Sequence, residues 1–314
     1  MEGSEVEESR SHDAWRHRWR RVAVVGAVAT YLLIVLGGVV RITGSGMGCG
    51  DDWPLCNGHL IPPLDLPTLI EYAHRLVAAA VSVVVVALVA LSFLPGRGGG
   101  WRTRRRLSCV ALAMLVVQVL LGAVTVWLEL PPVSVILHLA TAVGLLAVLI
   151  VVASEGGGRR RYRRASDRAT RLSRVVAGLG FLVVLAGALV ANLDAAPACQ
   201  GFPLCNGRWW PAGGWRIHLH WAHRALAYLL VACMVALPGL VRRWRPEDGA
   251  VRKVAALAAA LGLGQLVVAA AMVLLFLPAG WQAAHLALGT GIFATLVRLA
   301  WMTGRPRGSV AVRW

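Results

Sequence analysis

Hydrophobic residues along the chain fall into eight long runs separated by short polar segments. Each run reaches about 20 residues, the length that a helix needs to cross the hydrocarbon core of a bilayer. The runs cover residues 22–42, 69–93, 107–128, 134–153, 172–192, 216–240, 251–277 and 281–303. They lack the alternation of apolar and polar positions that a transmembrane barrel requires. The pattern therefore predicts an all-α, polytopic membrane protein with eight transmembrane helices.

Charge is sparse and segregated. Of the 314 residues only 15% are charged, against about 25% in a soluble domain. Basic residues crowd the N-terminal segment, every second connection and the C-terminus, whereas the intervening connections 43–68, 129–133, 193–215 and 278–280 hold one basic residue, Arg208. By the positive-inside rule both termini are predicted to be cytoplasmic, with the connections that carry paired cysteines outside. The net charge of +17 is thus a topology signal, and a nucleic-acid partner is not expected.

The second half of the chain repeats the first. A shift of 149 lays WPLCNG (53–58) on FPLCNG (202–207) and EYAHR (71–75) on HWAHR (220–224), and a shift of 147 lays Gln118 on Gln265 and His138 on His285. The repeat predicts two tandem four-helix bundles, related by a pseudo-two-fold axis along the membrane normal. Their predicted bounds are 22–153 and 172–303, joined by an Arg-rich cytoplasmic linker, 154–171, and flanked by cytoplasmic tails, 1–21 and 304–314.

Four histidines lie inside apolar runs, two in each half: His74 and His138, then His223 and His285. Each lies about five to seven residues inside its run, or about 7–10 Å below the predicted outer surface. Two neutral imidazoles facing each other at one depth in a four-helix bundle are suited to clamp a haem iron. The alternative is a hydrogen bond between helices. A structural zinc site is disfavoured because it takes four clustered nitrogen or sulfur ligands.

One intramembrane residue breaks the repeat. Glu71 stands where the second half has His220, and it shares a helix face with His74 and Arg75. A carboxylate at this depth is costly unless it is paired or used. Two interpretations stay open, an ion pair with Arg75 and a proton acceptor beside a reacting substrate.

In these residues the sequence resembles the haem A synthase family over roughly 22–303. The resemblance is carried by the motifs EYAHR and HWAHR, by His138 and His285, and by the cysteines Cys49, Cys56, Cys199 and Cys205. It implies oxidation of the C8 methyl group of haem O to a formyl group, through a hydroxymethyl intermediate and with oxygen from water, to supply haem A to cytochrome oxidase. It also implies a haem b cofactor with His223 and His285 as axial ligands, and substrate haem O near His74 and His138. Glu71 matches a glutamate that acts in the reaction.

The resemblance extends to two cysteine pairs, Cys49–Cys56 and Cys199–Cys205, which are expected to close disulfides over the two sites. For the first pair a redox or thiol role in catalysis stays open beside this structural one. Haem O synthase is a candidate partner for substrate delivery, whereas the electron acceptor and the oligomeric state are left open. Two other functions compete: a bis-histidine b-type cytochrome that exchanges electrons with quinol, and a haem transporter or chaperone without chemistry.

Overall fold

A computed structural model describes residues 2–63, 65–94, 101–155 and 167–304. Within them the chain forms eight long helices, and each contains an apolar window long enough to cross a membrane, which confirms the predicted class. The helices are α1 (Glu2–Ile42), α2 (Leu66–Phe93), α3 (Trp101–Trp127), α4 (Pro132–Ser154), α5 (Arg168–Asn192), α6 (Trp215–Trp244), α7 (Gly249–Leu274) and α8 (Ala279–Thr303). Most of the predicted linker 154–171 and of the tail 304–314 lies outside the described residues.

Several helix starts follow from their capping residues. Asp65, Asp167 and Asp248 each accept a hydrogen bond from the backbone N–H three residues later, which satisfies one of the free donors at a helix N-terminus. The helix α1 begins far earlier than the predicted apolar run. Its apolar window is His17–Ile42, and the segment before it continues as helix because it contains no proline and is rich in Glu and Arg, which favour helices.

The helices pack as two rings of four. In the first ring α1, α2, α3 and α4 each contact their chain neighbour, and α4 closes the ring against α1; α5 to α8 repeat the arrangement. The rings meet through the contacts of α1 with α8, α4 with α5, and α4 with α8. Exchanging α1 for α5 and α4 for α8 leaves this set unchanged. The pseudo-two-fold axis stays a prediction, and these contacts are consistent with it.

Apolar packing is divided in the same way. One cluster of buried side chains, which includes Val85, Leu88 and Leu149, lies in the first ring, and a second, which includes Met234 and Leu296, lies in the second ring. A third cluster around Leu146 and Phe293 fills the junction between α4 and α8. Each ring of helices thus has its own apolar core.

Two cysteine loops lie at one end of the bundle, between α1 and α2 and between α5 and α6; we call this the cysteine-loop end. Both contain the sequence Cys-Asn-Gly, in which Asn57 and Gly58, like Asn206 and Gly207, have positive φ. Asn-Gly is the preferred pair for a tight hairpin turn, because both residues accept this conformation. The cysteine that opens each turn is disulfide-bonded, in the pairs Cys49–Cys56 and Cys199–Cys205, which confirms the expected pairing.

Candidate functional sites

The second ring brings His223 and His285 together. His223 is the ninth residue of α6 and His285 the seventh of α8, and their ring centroids are 6.5 Å apart. Two imidazoles that share one metal, each with its nitrogen about 2 Å away, would have centroids roughly 6–7 Å apart. The observed spacing therefore suits one metal centre between the two imidazoles.

The first ring holds the equivalent pair at equivalent positions. His74 is the ninth residue of α2 and His138 the seventh of α4. The internal repeat aligns these two positions with His223 and His285. The predicted pairing of helices α2 with α4 and α6 with α8 thus corresponds to matched positions in the two halves.

Glycines make room for three of the four imidazole side chains. A Cβ atom at Gly37 of α1 would lie 3.0 Å from Cε1 of His74, and one at Gly187 of α5 would lie 3.0 Å from Cε1 of His223. At Gly122 of α3 the corresponding distance to His138 is 3.1 Å. These separations are tighter than ordinary carbon contacts. A side chain at any of the three glycines would push the imidazole out of place.

Burial distinguishes the two nitrogens of three of these imidazoles. The Nδ1 atoms of His74, His138 and His223 are buried on the glycine side and lack a hydrogen-bond partner within the described residues. The nitrogen open to a ligand is therefore Nε2. Haem iron is commonly bound by a pair of neutral imidazoles that face each other. The residues therefore fit one haem in each four-helix ring. Across the described residues, no group of three or more His, Cys, Asp or Glu side chains forms a metal cluster of another type.

Glutamines contact one histidine of each pair. The side-chain nitrogen of Gln118 lies 3.0 Å from Nε2 of His138, and that of Gln265 lies 3.1 Å from Nδ1 of His285. The internal repeat aligns the two glutamines, but we predicted no role for them from sequence. The available signal was an amide inside an apolar run, one turn or more from any other polar side chain.

Glu71 is buried, with 4% of its surface exposed, and both carboxylate oxygens are engaged. Oε1 accepts from Nη2 of Arg75 at 2.7 Å and from its Nε at 3.1 Å, while Oε2 accepts the backbone N–H of Cys49 at 2.8 Å. Arg75 also donates to the carbonyl oxygens of Asp52 at 2.9 Å and Leu55 at 2.5 Å. The ion pair that we left open is therefore formed, and it fastens the first cysteine loop to α2.

His220 occupies the equivalent place in the second ring. Its Nδ1 lies 3.1 Å from the carbonyl oxygen of Ala195, and its Nε2 accepts from Nε of Arg224 at 3.3 Å. Arg224 in turn donates to the carbonyl oxygens of Gly201 and Leu204, each at 2.9 Å, and of Cys199 at 2.6 Å. Arg224 thus fastens the second loop as Arg75 fastens the first, whereas a neutral imidazole stands in place of the carboxylate, so the charge of Glu71 is specific to the first four-helix ring.

Comparison with known proteins assigns the family. The sequence model of the COX15-CtaA family, described as Cytochrome oxidase assembly protein, matches residues 20–297. A protein named Heme A synthase from Symbiobacterium thermophilum is 32% identical over 294 residues, which cover 90% of this chain and 95% of that protein. Proteins of the same name from Shouchella clausii and Bacillus licheniformis are 32% and 30% identical over 69% and 68% of the chain, covering 74% and 72% of their own lengths. The chain therefore belongs to the haem A synthase (COX15-CtaA) family, as its histidine and cysteine motifs predicted.

Proposed function

We propose that this protein is a haem A synthase, an oxidoreductase that converts the C8 methyl group of haem O to a formyl group. The observation that carries the proposal is the pair of His–His sites, each built against a glycine, in a chain of the haem A synthase family. A plain electron carrier would have no evident need for a charged Glu71 in one ring and a neutral His220 in the other.

The two sites have different proposed tasks. His223 and His285 would hold haem b, which supplies a one-electron redox centre when it is bound. His74 and His138 would hold the substrate, haem O. The asymmetry between Glu71 and His220 supports this division, because the charged residue lies beside the pair assigned to the substrate.

The chemistry balances as two successive two-electron oxidations. The methyl group and water give the hydroxymethyl group with release of two electrons and two protons. The hydroxymethyl group then gives the formyl group with release of two more of each. The electrons pass, two at each step, to an electron acceptor outside this chain.

Glu71 is the proposed proton acceptor and charge stabiliser in these steps. Its anionic form is held by Arg75, which donates twice to Oε1, and by the N–H of Cys49, so Oε2 keeps a further lone pair for a water proton. A fixed negative charge in a water-poor site also stabilises positive charge that develops on the substrate. The Cys49–Cys56 disulfide sets the position of that N–H, and so contributes through Glu71.

The proposed location is the bacterial cytoplasmic membrane, with both termini cytoplasmic and the cysteine-loop end outside. The distribution of basic residues supports this orientation, since the connections at the cysteine-loop end hold one basic residue. An oxidising compartment on that side is also where the two disulfides would persist.

The test is to produce the protein together with a haem O synthase in a host that makes no haem A. The expected product is a formyl haem, identified by mass and by the pyridine haemochrome spectrum of the extracted pigment. A His74→Ala, His138→Ala double variant is the control and should leave haem O unchanged. Extracts of the unmodified protein that contain haem O alone, with an electron acceptor present, would overturn the proposal.

A further inference from the structure

The two histidine sites differ in the nitrogen that their glutamine contacts. Gln118 contacts His138 at Nε2, the nitrogen left open to a ligand, because the Cε1–Nδ1 edge of that ring faces Gly122. Gln265 instead lies closer to Nδ1 of His285, at 3.1 Å, than to its Nε2, at 3.5 Å. The usual support of a histidine that binds metal through Nε2 is an acceptor of its Nδ1–H, and a contact at Nδ1 leaves Nε2 available to the metal. A partner on Nε2 competes with the metal.

Thr141 accounts for the difference. Its hydroxyl group is hydrogen-bonded to Oε1 of Gln118, which fixes the amide across the ring of His138. At the aligned position of the second ring stands Leu288, which packs against the apolar core of that ring and offers no hydroxyl group. The Oε1 atom of Gln265 is accordingly buried with no hydrogen-bond partner in the described part of the chain, while its Nε2 atom donates to the backbone carbonyl oxygen of His285 at 3.0 Å.

We propose that Gln118, held in place by Thr141, is a positioning residue that makes the His74–His138 site exchangeable, whereas Gln265, bonded to the backbone of His285 and lying closer to Nδ1, does not oppose binding through Nε2 at His223–His285 in the same way. Whichever end of the Gln118 amide faces the ring, an iron that binds Nε2 of His138 must replace one hydrogen bond. Iron binding at the first site is therefore weaker by the free energy of that hydrogen bond. When the iron leaves, the amide of Gln118 can bond to Nε2 of His138 again. A site that must take up a substrate haem and release a product haem needs this property.

The inference rests on the proposed function, because it treats the first site as the one that turns over. It adds that release is set by two side chains, Gln118 and Thr141, which need not touch the porphyrin. It also gives the sequence difference between Thr141 and Leu288 a consequence that can be measured without catalysis.

The test measures the loss of haem from purified full-length protein in detergent. Ferric haem b is loaded into both sites, and its transfer to excess apomyoglobin is followed by absorbance; the phase that disappears in His74→Ala belongs to the first site. Thr141→Val, which removes the hydroxyl group at nearly constant shape, and Gln118→Leu should each slow that phase about fivefold, the factor that one hydrogen bond of ordinary net strength contributes. Thr141→Ser should restore the rate of the unmodified protein.

Damage to the bundle would speed haem loss in these variants, so slower loss is the outcome that a merely structural role does not give. The haem of the second site, measured in the same molecules, should be released at an unchanged rate. Unchanged or faster first-site release in both Thr141→Val and Gln118→Leu would overturn the inference. Slower release in a protein that makes no formyl haem would instead overturn the proposed function alone.

Discussion

Glu71 on α2 accepts the backbone N–H of Cys49 at 2.8 Å, so the buried carboxylate and the disulfide of the first cysteine loop form one connected unit. Arg75 completes it, because this side chain binds the same carboxylate and the loop carbonyl oxygens of Asp52 and Leu55. The loop is thus positioned by the same residue that we propose to act on substrate. A substitution in the first cysteine loop should therefore alter the position of Glu71, and a substitution of Glu71 should alter the position of the loop.

Replacing Glu71 with Gln should abolish formation of formyl haem and leave haem b in place. The amide oxygen can still accept the N–H of Cys49, so the loop stays fastened, but the negative charge is lost. Product haems are measured by chromatography with mass detection, and haem b by the pyridine haemochrome spectrum. Arg75→Lys, which keeps the positive charge beside an intact Glu71, should retain part of the activity. Turnover in Glu71→Gln equal to that of the unmodified protein would leave Glu71 as an ion-pair partner only.

The division of tasks between the rings predicts opposite results for the two histidine pairs. His223→Ala or His285→Ala should remove bound haem b, because each leaves one axial ligand where two are needed. His74→Ala or His138→Ala should retain haem b and lose synthesis. The readout is the low-spin haem spectrum of the purified protein. Haem b that survives both second-ring changes but vanishes in His74→Ala would show that the halves are assigned the wrong way round.

Gly187 offers a test of the site that spares its ligands. A Cβ atom there would lie 3.0 Å from Cε1 of His223, so Gly187→Val should displace the ring and reduce haem b content several-fold. Gly178 lies on the same helix, and a Cβ atom at this position would meet nothing within 4 Å. Gly178→Val is therefore the matched control and should keep its haem. Equal haem contents in the two variants would argue against a ligand role for His223 in this geometry.

Sequence reasoning predicted much of this architecture and missed particular contacts for physical reasons. Hydropathy gives the eight helices, because crossing a bilayer demands long apolar runs, but it places the start of α1 near residue 22 where the helix begins at Glu2. The repeat aligned Gln118 with Gln265, but it could not predict which ring nitrogen each glutamine contacts. That contact depends on the hydroxyl group of Thr141, which is present in one half alone. Likewise, pairing of Glu71 with Arg75 was foreseen as one option, while the N–H of Cys49 as its second partner depends on how the loop folds back.

The two disulfides should differ in what their removal does. Each closes a short loop, with a sequence separation of 7 for Cys49–Cys56 and 6 for Cys199–Cys205, so each stabilises the fold by about 2 kcal/mol in a chain-entropy account. Cys199→Ser with Cys205→Ser should lower the thermal midpoint by several degrees and retain synthesis. Cys49→Ser with Cys56→Ser should lower it similarly and also reduce synthesis, because the N–H that holds Glu71 is no longer fixed. Thermal midpoint and product yield are measured on the same preparations. Equal synthesis by the two double variants would show that the Cys49–Cys56 disulfide has no role in the reaction.

The end opposite the cysteine loops holds an ion pair between Arg245 and Asp167. Arg245, at the end of α6, is buried with 2% exposure and donates to Asp167, the N-cap of α5, at 2.6 Å and to the carbonyl oxygen of Thr303 at 2.7 Å. Burial acts to raise the pKa of Asp167, but hydrogen bonds from Thr170 and Arg245 outweigh it and hold that pKa below its usual value.

Because the pKa of Asp167 is lower in the folded protein than in the unfolded chain, its contribution to stability is complete above the unfolded value near 4 and is lost as the pH falls through the folded value. The thermal midpoint of the detergent-solubilised protein should therefore fall by a few degrees more between pH 6 and pH 3 than that of Asp167→Asn, which has no carboxyl group to protonate. Asp167→Asn should already be less stable at pH 6, since it removes the carboxylate that pairs with the buried charge of Arg245. Parallel midpoint curves for the two proteins across this range would show that the pair adds nothing to stability.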